Sequence, residues 1–154
     1  MSAQPWLEPG DELLLDGVDY RVVKRFVVRA DRSTFQHLTL QPQLGGEGRE
    51  LLQLREAVME AQAISPDLLD GRKVQIDQKL FDLKWEGTAR TERNAPGAKP
   101  KFANGRCAWY EAPDKAVAVL IVDRYESSAI MGEPLASGRI DLRFTEGLRA
   151  SRRG

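Results

Sequence analysis

The chain has 154 residues, of which 42% are hydrophobic and 30% charged, with 23 basic side chains balanced by 23 acidic ones and a single histidine. That length suits one domain, or two small units sharing a core, and the balance argues against disorder and against a global field that would draw in nucleic acid or an anionic membrane. The longest apolar run, AVAVLIV at 116–122, falls far short of the roughly 20 residues that cross a bilayer, and the first residues show no basic-then-apolar leader, so a cytoplasmic protein without a transmembrane segment is expected.

The first element is GDELLLDGVDYRV, Gly10 to Val22, two strand-like stretches around Asp16-Gly17, a pair suited to a two-residue hairpin turn. Strand character continues through DYRVVKRFVVRA, where period-two alternation puts Tyr20, Val22, Phe26 and Val28 on one face and Arg21, Arg25 and Arg29 on the other. A polar turn follows, then TFQHLTLQ, a strand with Leu38 and Leu40 sharing a face. GGEGRE, Gly45 to Glu50, has neither the lysine of a P-loop nor the setting of a dinucleotide fingerprint and reads as a Gly-rich connection between strands.

Residues 50–63 are ambiguous. Leu51, Leu54 and Val58 fit a helical stripe, but Ala57-Val58-Met59 recurs 72 positions later as Ala129-Ile130-Met131, beside Gly132 and Pro134, which oppose helix. An extended segment is therefore expected at both places. SPDLLDG reads as the turn that links the two halves.

The second half opens with GRKVQIDQKLFDL, Gly71 to Leu83, 61 positions after Gly10. It keeps the leading glycine, the apolar alternation and the aromatic-x-apolar ending, with the turn placed at Gln78-Lys79. The different offsets, 61 and 72, require extra residues in the second copy, and the Pro- and Gly-containing stretch at 87–104 is the natural loop for them. Strands RCAWYEA and KAVAVLIVDRY follow. The last candidate, RIDLRF, aligns Ile140, Leu142 and Phe144, and residues 146–154 form a tail with little to bury.

Chemistry is sparse. One histidine, His37, and one cysteine, Cys107, exclude histidine-rich and thiolate metal sites, and the lone thiol reads as buried and structural. Cys107 with His37 is the single Cys/His combination, and the two would lie on corresponding strands of the repeat. The acid pairs Asp67/Asp70 and Asp123/Glu126 lack any sign of a shared cleft; Asp123 closes an apolar strand, with Tyr125 on its face and Arg124 and Glu126 on the other. Arg90, Arg93, Lys99, Lys101 and Arg106 outnumber Glu86 and Glu92 in the second-half loop, with Trp85, Phe102 and Trp109 nearby and Arg149, Arg152 and Arg153 in the tail. Such a combination could form a nucleic-acid groove, but the neutral chain favours a solvated loop. Trp6 reads as a staple for the N-terminal end, or as a contact for a partner.

The strands and glycines of GDELLLDGVDYRV and of GRKVQIDQKLFDL, AWYEAPDKAVAVLIVDRYE and GEPL, over about Leu7 to Phe144, resemble an uncharacterised bacterial family. The resemblance implies a mainly β domain with no known activity, often encoded near polyamine-synthase-like and phage-shock-like membrane-stress proteins, and it assigns no catalytic or binding residue.

The expected fold is therefore mainly β with little helix: antiparallel strands in two related lobes, a duplicated half-barrel or sandwich, with a first unit over about 7–65 and a second over 71–145. The expected function is a non-catalytic protein-interaction or scaffold module, reached by another protein or by self-association through exposed strand edges; the resemblance implies a place in an envelope-stress assembly, with membrane association only through a partner. The alternative is small-molecule or nucleic-acid binding through the cleft between units and the basic loop. No enzyme activity, cofactor, metal or catalytic residue is expected.

Overall fold

A computed structural model of the protein describes residues 6–136 and 138–141. Eleven antiparallel strands account for nearly all of the regular structure: β1 (Glu12–Leu15), β2 (Val18–Ala30), β3 (Thr34–Pro42), β4 (Arg49–Leu54), β5 (Val58–Ile64), β6 (Lys73–Ile76), β7 (Lys79–Asn94), β8 (Lys101–Glu111), β9 (Val117–Asp123), β10 (Ser127–Pro134) and β11 (Ile140–Asp141). A 3-10 turn at Pro66–Leu68, capped by Ser65, links β5 to β6. Among the described residues no helix is long and apolar enough to cross a membrane.

Eight strands close a barrel in the order β2-β3-β4-β5-β10-β9-β8-β7, with β7 pairing back onto β2. The two halves of the chain meet edge to edge at β2–β7 and at β5–β10, so both contribute to one continuous sheet. Closure uses only the C-terminal parts of β2 and β7. Their N-terminal parts peel away to pair with β1 and β6, forming two hairpins outside the barrel, and β11 adds to β1.

A β-bulge in each long strand makes this division. One lies between Val22 and Lys24, the other between Leu83 and Trp85, 61 positions on. An extra residue shifts side-chain parity, so positions that alternate regularly before the bulge turn to the opposite face after it. Tyr20 and Val22 thus pack with the outer cluster of Leu7, Leu13, Leu38 and Leu51, whereas Val28, with Phe26 against it, packs with Phe35, Leu52 and Ile130 inside the barrel. The single apolar face expected from Tyr20 to Val28 is really two half-faces on opposite sides of the sheet. In β7 the same switch sends Phe81 and Leu83 outward against Tyr110, Ala118 and Met131, and Trp85 and Ala89 inward.

The hairpins therefore act as covers. Each shields one outer patch of the barrel wall, and ion pairs fasten both. Asp16, in the β1–β2 turn, binds Arg139 at 2.7 Å and Arg49 at 2.9 Å, and Arg49 also pairs with Glu60. On the other side Lys79 reaches Asp114 at 2.8 Å and Glu133 at 3.3 Å. The N-terminal segment is held by Leu7, not Trp6: Leu7 is fully buried, its amide donates to Gln53 Oε1 and its carbonyl accepts from Gln36 Nε2, while Trp6 is only half-buried.

Three further expectations are corrected or settled. The second hairpin turn falls at Asp77-Gln78, one residue earlier than Gln78-Lys79, and both residues have positive φ (50° and 68°), as do Asp16 and Gly17 at 52° and 78°. The loop expected at 87–104 is mostly strand, because β7 runs to Asn94 and β8 starts at Lys101. Its polar alternation hides a strand paired on both sides, with small Ala89 and Thr91 facing the crowded interior. Residues 50–63 are extended, as β4 and β5, against their helical propensity. Leu142, Phe144 and the tail lie outside the described residues.

Candidate functional site

One end of the barrel interior is filled. Trp109 stacks on Trp85 at 5.7 Å and receives Phe35 edge-on at 5.2 Å, while Val119, Ile121 and Ile130 complete the layer. The other end is open, a cavity of about 560 Å³ between strands from both halves of the chain. That volume suits a drug-sized ligand.

The bulge at Val22/Lys24 builds one wall. It turns Lys24 and Phe26 inward, opposite Thr39 and His37 of β3. Ala63 of β5 with Ser128 and Ile130 of β10 form the facing wall, and the β7–β8 connection brings Lys99 and Lys101 over the rim. The floor is apolar through Phe26, Ala63 and Ile130, and the rim is basic.

Which of those charges are free follows from their partners. Arg93 projects inward from β7 and is neutralised: its guanidinium meets both oxygens of Asp123 at 2.6 and 3.2 Å and Glu126 at 3.3 Å, and lies 4.4 Å over the Phe26 ring. Asp123 has a fully buried side chain. Burial pushes its carboxyl up, but hydrogen bonds from Arg93, the Thr91 hydroxyl and the amides of Tyr125 and Glu126 outweigh it and hold the group at about 2. Lys101 lies 5.7 Å from the Tyr125 ring. Lys24, Lys99 and Lys101 take part in no ion pair of the described residues, whereas Arg93 already faces two carboxylates, so the rim is basic at three positions that no carboxylate touches.

Comparisons with family models, curated proteins and solved structures find no match for the chain.

His37 sits inside this end with its Nε2 2.6 Å from Glu50 Oε1, a bond that lowers the Glu50 carboxyl below its ordinary range. Cys107, the residue grouped with it on sequence, is in the packed interior, its thiol pushed up to about 12 by burial. A thiol so disfavoured as thiolate is a packing group. Asp123 and Glu126 do come together, but on Arg93, because the chain turns after Asp123 and brings Glu126 back to the same guanidinium. Asp67 and Asp70 are exposed on the linking turn.

The five basic residues of the second-half segment are divided by β pairing. Arg93, Lys99 and Lys101 reach the open end, whereas Arg90 and Arg106 lie on the outer wall with Phe102. Trp85 and Trp109 are inside the barrel, away from any groove. Sequence reading missed Lys24, although VVKRFVV carried a signal: two adjacent valines followed by two adjacent cations break a period-two pattern at the bulge. The site can hold an anion on lysines while an apolar portion rests on Phe26 and Ile130.

Proposed function

We propose that the protein is a non-catalytic binding barrel that takes a small organic anion into its open end. The observation that carries this reading is a concave, apolar-floored cavity whose rim bears Lys24, Lys99 and Lys101 without carboxylate partners. An ammonium with no partner attracts an anion, and contact with the floor adds burial at about 25 cal/mol per Å². The cavity draws its walls from both halves of the chain, in line with a ligand between two related units. A protein-interaction module is supported less well: closure at β2–β7 consumes the edges on which that reading leaned, leaving the short β6 and β11 as edges among the described residues.

The duplication belongs to the same proposal. A five-strand unit used twice accounts for the equal 61-residue spacing of the two hairpin turns and the two bulges, and for the pairing of Arg29 with Arg90, themselves 61 positions apart, at the junction of β2 with β7.

The test uses 1-anilinonaphthalene-8-sulfonate, an apolar anion, beside its neutral relative N-phenyl-1-naphthylamine. The sulfonate is expected to bind more tightly than the neutral dye, and a K24A/K99A/K101A variant to weaken it by about tenfold or more, at roughly 0.5 kcal/mol per exposed charge contact, without changing the neutral dye. Equal binding of both dyes, or a triple variant that binds the sulfonate as the parent does, would overturn the proposal.

A further inference from the structure

The outer wall at the junction of the two halves carries a second arrangement, separate from the open end. Arg29 of β2 pairs with Arg90 of β7, and Arg90 in turn pairs with Asn104 of β8. Arg124 directly follows β9 at Asp123, the partner of Gly105. With strands about 4.8 Å apart, three arginines and an asparagine form a band roughly 14 Å long across four strands. A shallow cavity of about 640 Å³ lies along it, with the side chains of Arg29, Arg90, Phe102, Asn104 and Arg124 around it. One step along β8 from Asn104 on either side, Phe102 and Arg106 point to the same face. Phe102 is 60% exposed, and Val122, the cross-strand partner of Arg106, is 41% exposed.

Cations outnumber acids on this wall: Arg29, Arg90, Arg106 and Arg124 stand against Glu92 and against Glu86, which is diagonal to Arg106 across the β7–β8 pair. Glu92 is the acidic residue of the band, and it is already shared by Arg25 at 3.3 Å, Arg29 at 3.0 Å and Asn94 at 2.7 Å. Arg90 and Arg106 take part in no ion pair of the described residues, and Arg124 bonds only the neutral Tyr125 hydroxyl, at 2.8 Å. Neither hairpin covers this part of the barrel: their clusters are built on β3–β5 on one side and on the other parts of β8–β10 on the other.

We propose that this wall binds single-stranded nucleic acid, with Arg90, Arg106 and Arg124 on successive phosphates, a base stacked on Phe102 and the Asn104 amide in reach of a base edge. Guanidinium groups suit phosphate, an exposed ring on a strand offers a stacking platform that every base can use, and an amide both donates and accepts. An acidic peptide would satisfy the arginines but leave the ring unused. A duplex would present its phosphates with its bases already stacked. The neutral charge of the whole chain is no obstacle, because a strand is met by the local charge of the wall, where Arg90, Arg106 and Arg124 form no ion pair among the described residues.

The test is fluorescence anisotropy with fluorescein-labelled dT12 and rU12, a twelve-base-pair duplex and a poly-glutamate peptide, over a salt series. The single strands are expected to bind more tightly than duplex or peptide, with affinity falling as salt rises. Phe102→Ala should weaken binding by about tenfold through lost stacking, and R90A/R106A should weaken it and flatten the salt dependence by about two released counterions. The K24A/K99A/K101A variant should bind the strands as the parent does, and R90A/R106A should keep its dye binding at the open end, so either proposal can fail alone. Thermal melts confirm that each variant is folded. No salt-sensitive binding of either single strand, duplex or peptide bound as tightly as dT12, or F102A equal to the parent would overturn the proposal.

Discussion

Replacing Asp123 by asparagine removes the charge that holds Arg93 against the inner wall of the open end. The Asp123 side chain is fully buried and accepts from Thr91 at 2.6 Å, from Arg93 at 2.6 and 3.2 Å, and from the amides of Tyr125 and Glu126 at 2.9 and 3.2 Å. Its carboxyl is lowered from 3.8 to about 2. At ~1.36 kcal/mol per pH decade this interaction contributes ~2 kcal/mol to stability at neutral pH. D123N also leaves the Arg93 guanidinium with only the exposed Glu126 as an ionic partner, so a loss of ~2–4 kcal/mol is expected. The sign with pH follows from the lowered value: the contribution is fully present above the unfolded value near 3.8 and is lost as the pH falls through about 2. Urea unfolding of parent and D123N, followed by tryptophan fluorescence between pH 7 and pH 2, should give a wide gap at neutrality that narrows below about pH 3 as the parent carboxylate protonates. A gap under ~0.5 kcal/mol at pH 7, or one that does not change with acid, would refute the role assigned to this ion pair.

Two further outcomes are expected. Cys107 is buried with its thiol pushed up to about 12, so the native protein at pH 8 should resist an aromatic disulfide reagent and react stoichiometrically once unfolded in guanidinium; rapid labelling of the native state would contradict its place in the core. Gln78 has φ of 68° where the first hairpin uses Gly17, so Gln78→Gly should stabilise the protein by ~0.5–1 kcal/mol in a thermal or urea melt, and a destabilisation would mean that the Asp77-Gln78 turn is wrongly placed.

The strands of the first half, the Asp16-Gly17 turn, the Gly-rich connection and the extended nature of β4 and β5 were all legible, because period two, Asp-Gly and clustered glycines act over a few residues. What was hidden is non-local. Pairing of β2 with β7 joins residues 59 to 69 positions apart, and no local pattern announces it. The bulges were visible only as a lapse in alternation, yet they decide that Lys24 and Phe26 face the cavity and that Tyr20 and Val22 do not. The 87–104 stretch looked like a loop because its strand is made of Thr, Ala, Arg and Glu; its inward residues meet a closed interior where small side chains suffice. The basic segment was recognised as a group, but its division between the open end and the outer wall needed the register of β7 against β8.

The central claim is that the open end of the barrel is the ligand site. The most direct measurement is a two-dimensional amide NMR titration with 1-anilinonaphthalene-8-sulfonate, read residue by residue. Shift changes are expected to cluster at 24–26, 37–39, 63–64, 93–101 and 126–130, the residues around the cavity, and in the K24A/K99A/K101A variant to need about tenfold more dye to reach the same extent. Changes confined to the hairpin covers or the outer wall, with the cavity residues unmoved at saturation, would contradict it.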